Sequence, residues 1–194
     1  AVNVKNLTKV TKQLLDYGIK SILVEKPGGL DKNDIESLYN HSVGRESNVY
    51  IAYNRRFYQS VKLAEKMIAE DGGVLSFSFD FTELIHRLEE FQIPLIEKKM
   101  LLFNNSSHVI DLSFFLGGFP EKINCYHNDN SKIDWHSSAS IFSGSGVTKD
   151  GALFCYGANW EAPGRWELAL NTSKRKLIFC PLEELKVQEH RSFD

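Results

Sequence analysis

Residues 21–30, SILVEKPGGL, set a charged pair and a proline at the end of a short apolar run. Ile22, Leu23 and Val24 predict a buried strand, because a brief β-branched run closed by Pro-Gly-Gly is strand punctuation. Glu25 and Lys26 then fall where that strand runs out. In an open α/β sheet, ligands bind just beyond the carboxyl ends of the parallel strands. A lysine there is either a reacting group or a solvated residue at a turn, and position alone leaves both readings open.

The flanks of this stretch alternate in the same style. Residues 5–17, KNLTKVTKQLLDY, place Leu7, Val10, Leu14 and Tyr17 at helical spacing, and Gly18 follows as a left-handed C-terminal cap. The opening AVNV reads as a strand end, so the first 27 residues predict strand end, helix, strand: a right-handed crossover with its first strand clipped. LDKNDIESLYNHSV (30–43) predicts a second helix, with Leu30, Ile35, Leu38 and Val43 near one face. Asp31 is its expected cap and Asp34 its acidic first-turn residue. NVYIAYN is the next strand, and FYQSVKLAEKMIAE a third helix stopped by Asp71-Gly72-Gly73.

After that the texture changes. VLSFSFDFTE (74–83) alternates apolar and polar residues, the mark of a strand with one buried face. SSHVIDLSFFLGG (106–118) predicts a helix capped by Ser106 or Ser107 and stopped by Gly117-Gly118. Strands follow in KINCYHN, SASIFSG, GALFCYGANW, RWELALNT and RKLIFCP, with SGVTKDG and EAPG as hairpin-grade turns. The reading is two architectures with a boundary near residue 54. A broad sheet face carrying Phe77, Phe79 and Trp166 is the expected surface for a second subunit.

Composition bounds the rest. The 194 residues are 42% hydrophobic and 25% charged with a formal net charge of −2, which fits one or two globular domains and leaves no footprint for nucleic acid or an anionic membrane. No apolar stretch is long enough to span a bilayer, and AVNVKNLTKV has no basic region leading into an apolar core. Cys125, Cys155 and Cys180 are an odd number at wide spacing with no C-x-x-C pair. They read as reduced core thiols rather than a disulfide framework or zinc site, and the expected compartment is the cytoplasm. No metal site is expected.

Few motifs carry chemistry. SGSGVTKDG (143–151) superficially resembles a dinucleotide-binding turn, but a strand follows it, so no helix N-terminus is there to hold a pyrophosphate; it reads as a hairpin turn. His108 opens a helix with Asp111 at i+3 on the same face. That is either a general base with a carboxylate to fix its tautomer, or a hydrogen-bonded helix-start histidine. Arg55 and Arg56 pair with acids, or one faces a ligand phosphate. Trp135, Trp160 and Trp166 sit among strands and read as core rather than sugar-stacking platforms.

Together VEKPGG after one strand, AYNRRF after the next, and H-x-x-D opening a later helix that ends in LGG resemble the Gfo/Idh/MocA oxidoreductases. The likeness is strongest over residues 1–118. It implies an α/β fold: residues 1–54 as the C-terminal part of a Rossmann-like dinucleotide-binding domain, and 55–194 as an α+β substrate domain with a large, mostly antiparallel open sheet. It implies NAD or NADP as cofactor and a hydride moved to or from the hydroxyl or keto carbon of a sugar, polyol or nucleotide-sugar. Lys26 and His108 match the catalytic pair. Asn3, Glu25, Lys26, Pro27 and Arg55 fall where relatives approach the nicotinamide, and Asn104 and Asp111 where they meet substrate. The expected assembly is a homodimer or homotetramer through the open sheet face. Many relatives carry aspartate at the position of Asn104. An amide there bonds a sugar hydroxyl but supplies no charge to hold an imidazolium, which implies a weaker base at His108. The Gly-rich loop is absent, so the chain reads as a fragment not competent alone. The alternative class is a non-catalytic member serving as a sheet-mediated oligomerisation or ligand-binding module.

Overall fold

The computed structural model describes residues 2–90, 93–136 and 138–190. They form two compact units: Ala1–Tyr53 with Met100–Ser107, and Asn54–Lys99 with His108–Asp194.

In the first unit a 3₁₀ turn, Val4–Asn6, leads into α1 (Leu7–Asp16), β1 (Ser21–Val24), α2 (Lys32–Val43) and β2 (Asn48–Ile51). β1 and β2 pair in parallel, Ile22 beside Val49 and Val24 beside Ile51. The core is Leu7, Leu15, Ile22, Val24 and Leu38, with Val4, Val49 and Ile51 packed against it. Gly18 adopts φ +88° and ends α1, its N–H donating to the Leu15 carbonyl at 3.0 Å. Asp31 caps α2 by accepting from the Asp34 N–H at 2.9 Å.

Three expectations for this unit need correction. The strand end at the chain start is not formed by Val2 and Asn3, because the Asn3 side chain turns back to accept from the Lys5 N–H at 3.0 Å; Ala1 lies outside the described residues. The buried face of α1 is Leu7, Thr8, Thr11 and Leu15, whereas Leu14 and Tyr17 are exposed. Thr11 is accommodated because its hydroxyl donates to the Leu7 carbonyl at 2.7 Å. Leu23 is 73% exposed, since helices cover the Ile22–Val24 side of β1 and its own side, shared with Tyr50, is bare.

The second unit holds α3 (Gln59–Glu70), β3 (Ser76–Asp80), the short α4 (Ile85–Glu90) and α5 (Leu95–Lys99), then α6 (Ser107–Gly117). Six strands follow: β4 (Pro120–His127), β5 (Ile141–Thr148), β6 (Leu153–Asn159), β7 (Glu167–Asn171), β8 (Arg175–Phe179) and β9 (Lys186–Glu189). The seven-stranded sheet has the order β4-β5-β6-β3-β7-β8-β9, with β3 parallel to β6 and every other pair antiparallel.

That order overturns EAPG as a hairpin turn. β3 lies between β6 and β7, so residues 160–166 carry the chain across a neighbouring strand. Gly164 lies so close to Thr82 that a Cβ would come within 2.7 Å of its methyl carbon, so a side chain there would force the crossing chain away. SGVTKDG does turn a hairpin, from β5 into antiparallel β6, although the strand runs to Thr148 and only Lys149–Gly151 turns. Gly144 and Gly146 are small because Tyr156 and Phe154 lie over them.

The inward sheet face is aromatic. Phe77 stacks with Phe154 at 5.3 Å and Phe79 with Tyr156 at 5.4 Å, while Phe114 of α6 meets Phe77, Phe79 and Phe154 edge-on. Gly117 brings α6 down onto the Phe77 ring, where a Cβ would sit 2.5 Å away. Phe77 and Phe79 are therefore core, not the open face expected to carry them. The open face presents Tyr126, Ile141, Leu153, Cys155 and Ser78. Cys125 and Cys155 are exposed and Cys180 half-buried, so the thiols are free but are not core. Of the three tryptophans, Trp160 is buried, and Trp135 and Trp166 are half-exposed. No helix among the described residues is long and apolar enough to cross a membrane.

Candidate functional site

Lys26 stands two residues past β1, at the carboxyl end of the parallel pair. The turn after it is held from several sides. Gly28 takes φ +89° and its N–H donates to the Glu25 carbonyl at 3.0 Å. An L side chain is strained at that φ, and a Cβ would also come within 2.5 Å of Ile51. Gly29 leaves no room either: a Cβ would meet Asp34 at 2.6 Å and the Thr8 hydroxyl at 2.9 Å. Asp34 reaches back to accept from the Leu30 N–H at 2.8 Å. Pro27, Gly28 and Gly29 are buried, Lys26 is half-buried, and Glu25 and Asn3 are exposed.

Met100–Ser107 belongs to this same unit and contains a π-helical turn, Leu102–Ser106. Its sequence, LFNNS, places two asparagines and a serine in succession, residues whose side chains compete for backbone hydrogen bonds and weaken α-helix. The helix therefore starts upstream of the expected caps: Ser106 is fully buried within the π turn and Ser107 has helical backbone angles. The Lys26 ammonium donates to the backbone carbonyl of Asn104. The amide side chain of Asn104 was the expected functional group; the carbonyl is what Lys26 uses.

In the second unit His108 sits in the first turn of α6, half-buried, with its ring 6.2 Å from that of Trp166 and tilted by 48°. Trp166 is fixed by its surroundings. Its indole N–H donates to the buried Glu83 carboxylate at 3.3 Å, and the Arg55 guanidinium lies 5.3 Å from its ring centre. Arg55 is ion-paired to Glu183, and that pairing holds the Glu183 carboxyl below its ordinary range. Asp111, one turn beyond His108, accepts from Arg56 through both oxygens, Oδ2 at 2.8 Å from Nε. Both arginines of NRRF thus pair with acids, as one branch of the sequence reading had it. Trp166, Glu83 and Glu183 were not singled out as site residues. Nothing in the spacing of a glutamate in the loop after β8 points to an arginine more than a hundred residues earlier.

The expected site residues fall into two groups: Asn3, Glu25, Lys26, Pro27 and Asn104 in the first unit, and Arg55, His108 and Asp111 in the second. For a dinucleotide, the first unit offers the carboxyl end of a parallel strand with a tight, buried turn, which fits the approach of a flat ring. Its described residues contain no G-x-G-x-x-G turn, and the glycine pair between β1 and α2 is packed against Ile51, Thr8 and Asp34 with the carboxylates of Asp31 and Asp34 accepting at the helix start, so they do not build a pyrophosphate cradle. Among the described residues no group of three or more His, Cys, Asp or Glu could hold a metal ion.

The Arg55–Glu183 pair has a pH signature. Because the folded-state carboxyl is depressed, its stabilisation is fully present above the unfolded value of about 4.5 and is lost as pH falls through the lower folded value. Glu183→Gln should therefore lower stability at pH 7, by no more than about 1 kcal/mol because the carboxylate is half-exposed. The difference should be smaller at pH 3, below the unfolded value of about 4.5. Urea denaturation at the two pH values checks this, and an equal deficit at both would refute it.

No protein-family model and no curated protein matches the sequence. Solved structures do match. One is levoglucosan dehydrogenase in complex with NADH and levoglucosan, at 19% identity and TM-score 0.78, covering 100% of this chain and 57% of that one. Another is the WlbA dehydrogenase from Bordetella pertussis in complex with NADH and UDP-GlcNAcA, at 13% identity and TM-score 0.73, covering 92% of this chain and 56% of that one. An NAD-binding oxidoreductase from Klebsiella pneumoniae matches at 14% identity and TM-score 0.80, covering 100% and 57%. The chain thus spans little more than half the length of these proteins, and over that span it has the fold of the Gfo/Idh/MocA oxidoreductases, the C-terminal part of a Rossmann-like domain followed by a large, mostly antiparallel open sheet.

Proposed function

We propose that this chain is part of a longer NAD(P)-dependent oxidoreductase that moves a hydride between the cofactor and a hydroxyl or keto carbon of a sugar, polyol or nucleotide-sugar. The observation that carries this is Lys26: the E-K-P lysine stands at the carboxyl end of β1, where open α/β sheets bind ligands, on a turn that tolerates no side chain at either glycine. The fold likeness to sugar and nucleotide-sugar dehydrogenases supports the substrate class. The uncovered side of β1 and β2, with Leu23 and Tyr50 exposed, supports further chain packing there, since parallel sheets are ordinarily covered on both faces.

When bound, NAD(P) supplies the hydride acceptor or donor. The chain's residues handle the proton and the charge. In the oxidative direction His108 takes the hydroxyl proton, a task suited to an imidazole near neutral pH. The Lys26 ammonium is suited to stabilise negative charge that grows on a substrate oxygen. Trp166, itself held by the Arg55 guanidinium, flanks the imidazole on one side. Glu25, Pro27 and Asn3 line the approach of the nicotinamide end.

The test is kinetic, in a protein carrying a Gly-rich nucleotide-binding turn ahead of these residues. Lys26→Met should abolish turnover and leave cofactor affinity nearly unchanged. His108→Ala should slow the rate by roughly 10²–10⁴-fold, the scale of a lost general base. Near wild-type turnover in either variant removes that residue from the mechanism.

The open face of the seven-stranded sheet, where Leu153 is 64% and Tyr126 71% exposed, is the surface we assign to a second copy. Light scattering should report a dimer or larger assembly that Leu153→Glu converts to monomer. A monomeric parent protein refutes the assignment.

A further inference from the structure

We propose that the backbone carbonyl of Asn104, presented by the π-helical turn Leu102–Ser106, is a positioning group that aims the Lys26 ammonium. This rests on the catalytic reading of Lys26 and deepens it. Two observations carry it: the ammonium donates to that carbonyl across 78 residues of sequence, and the carbonyl lies within a π turn. Such turns are uncommon and concentrate at functional sites, because they shift the direction of neighbouring backbone groups relative to an α-helix.

The local structure favours a fixed carbonyl. The Asn104 N–H donates to the Met100 carbonyl at 2.7 Å, and the Ser107 N–H reaches both the Leu102 and Asn105 carbonyls. Leu101 and Ser106, on either side, are buried at 5% and 0% exposure. On the other partner, Lys26 leaves a strand end whose next three residues are buried. The contact therefore joins two rigid pieces of backbone through one flexible side chain. A lysine has three ammonium donors, and the carbonyl occupies one of them. Holding the chain on it before a ligand arrives lowers the ordering cost that an unrestrained lysine would bring to binding. The asparagine side chain is not needed for this, so the sequence identity at position 104 leaves the role intact.

The test reads the reactivity of Lys26 rather than turnover. The chain is acetylated with N-hydroxysuccinimidyl acetate and the rate at each lysine followed by mass spectrometry, with the exposed Lys9 of the same unit as reference. Lys26 should react about tenfold more slowly than Lys9, the scale of one hydrogen bond from a charged donor. Asn104→Ala keeps the carbonyl and should leave that protection in place. Deleting Asn105 restores α-helical phase and swings the carbonyl by about 100°; Lys26 should then react as fast as Lys9. Should the deletion prevent folding, replacing the 104–105 amide with an ester weakens the acceptor while keeping every side chain, and should give the same acceleration. The proposal is overturned if Lys26 and Lys9 react alike in the parent chain, if Asn104→Ala releases Lys26, or if Lys26 stays protected in a folded deletion or ester variant. A protected Lys26 whose Lys26→Met variant retains turnover would instead strike the catalytic reading alone.

Discussion

The first unit depends on the absence of two Cβ atoms. Gly28 and Gly29 let the turn after β1 sink against Ile51, Thr8 and Asp34, and those contacts join β1, β2, α1 and α2 at one point. Asp34 is shared between tasks: its N–H is capped by Asp31, and its carboxylate receives the Leu30 N–H. A side chain at either glycine would push the turn outward and carry Lys26 with it. The lysine's place is therefore set by backbone packing, with the Asn104 carbonyl as a second fixed point.

In the second unit the equivalent constraint is aromatic. Phe114 meets three rings of the sheet edge-on, and Gly117 removes the last obstacle to close approach, so α6 is seated from its middle to its end. His108, at the other end of that helix, is held differently, beside a tryptophan whose indole is bonded to a buried carboxylate and covered by an arginine. Asp71 shows the same economy elsewhere: buried at the end of α3, it accepts from the Thr172 hydroxyl at 2.7 Å and faces Arg175 at 3.5 Å, tying the helix to the β7–β8 turn.

Much of this was legible in the sequence because local chemistry and tertiary need agree. Gly18, Asp31 and the Asp71-Gly72-Gly73 stop perform as their residue types predict, and the alternation of VLSFSFDFTE gives β3 its buried face. What was not legible is non-local. The insertion of β3 between β6 and β7 leaves no mark in the EAPG connection, which has the composition of a hairpin turn. Leu14 and Tyr17 have helical spacing but the wrong phase, and two threonines take the buried face because one bonds its own helix and the other reaches the Gly28 carbonyl. At the site, E-K-P and H-x-x-D drew attention to Lys26, His108 and Asp111. The partners that hold them, a carbonyl at Asn104, an indole at Trp166 and a guanidinium at Arg56, come from distant sequence and had no local signal.

The central claim is that Lys26 stands on a rigid, backbone-built turn. Hydrogen exchange at the amides of Gly28 and Leu30 tests this most directly, because these N–H groups donate to the Glu25 carbonyl and the Asp34 carboxylate. The account predicts that both exchange as slowly as the amide of Ala52, just past β2, which donates to the Val24 carbonyl at 2.8 Å, and that all three open together as one cooperative unit. Exchange of Gly28 and Leu30 at the rate of an unstructured loop, with Ala52 still protected, would contradict it.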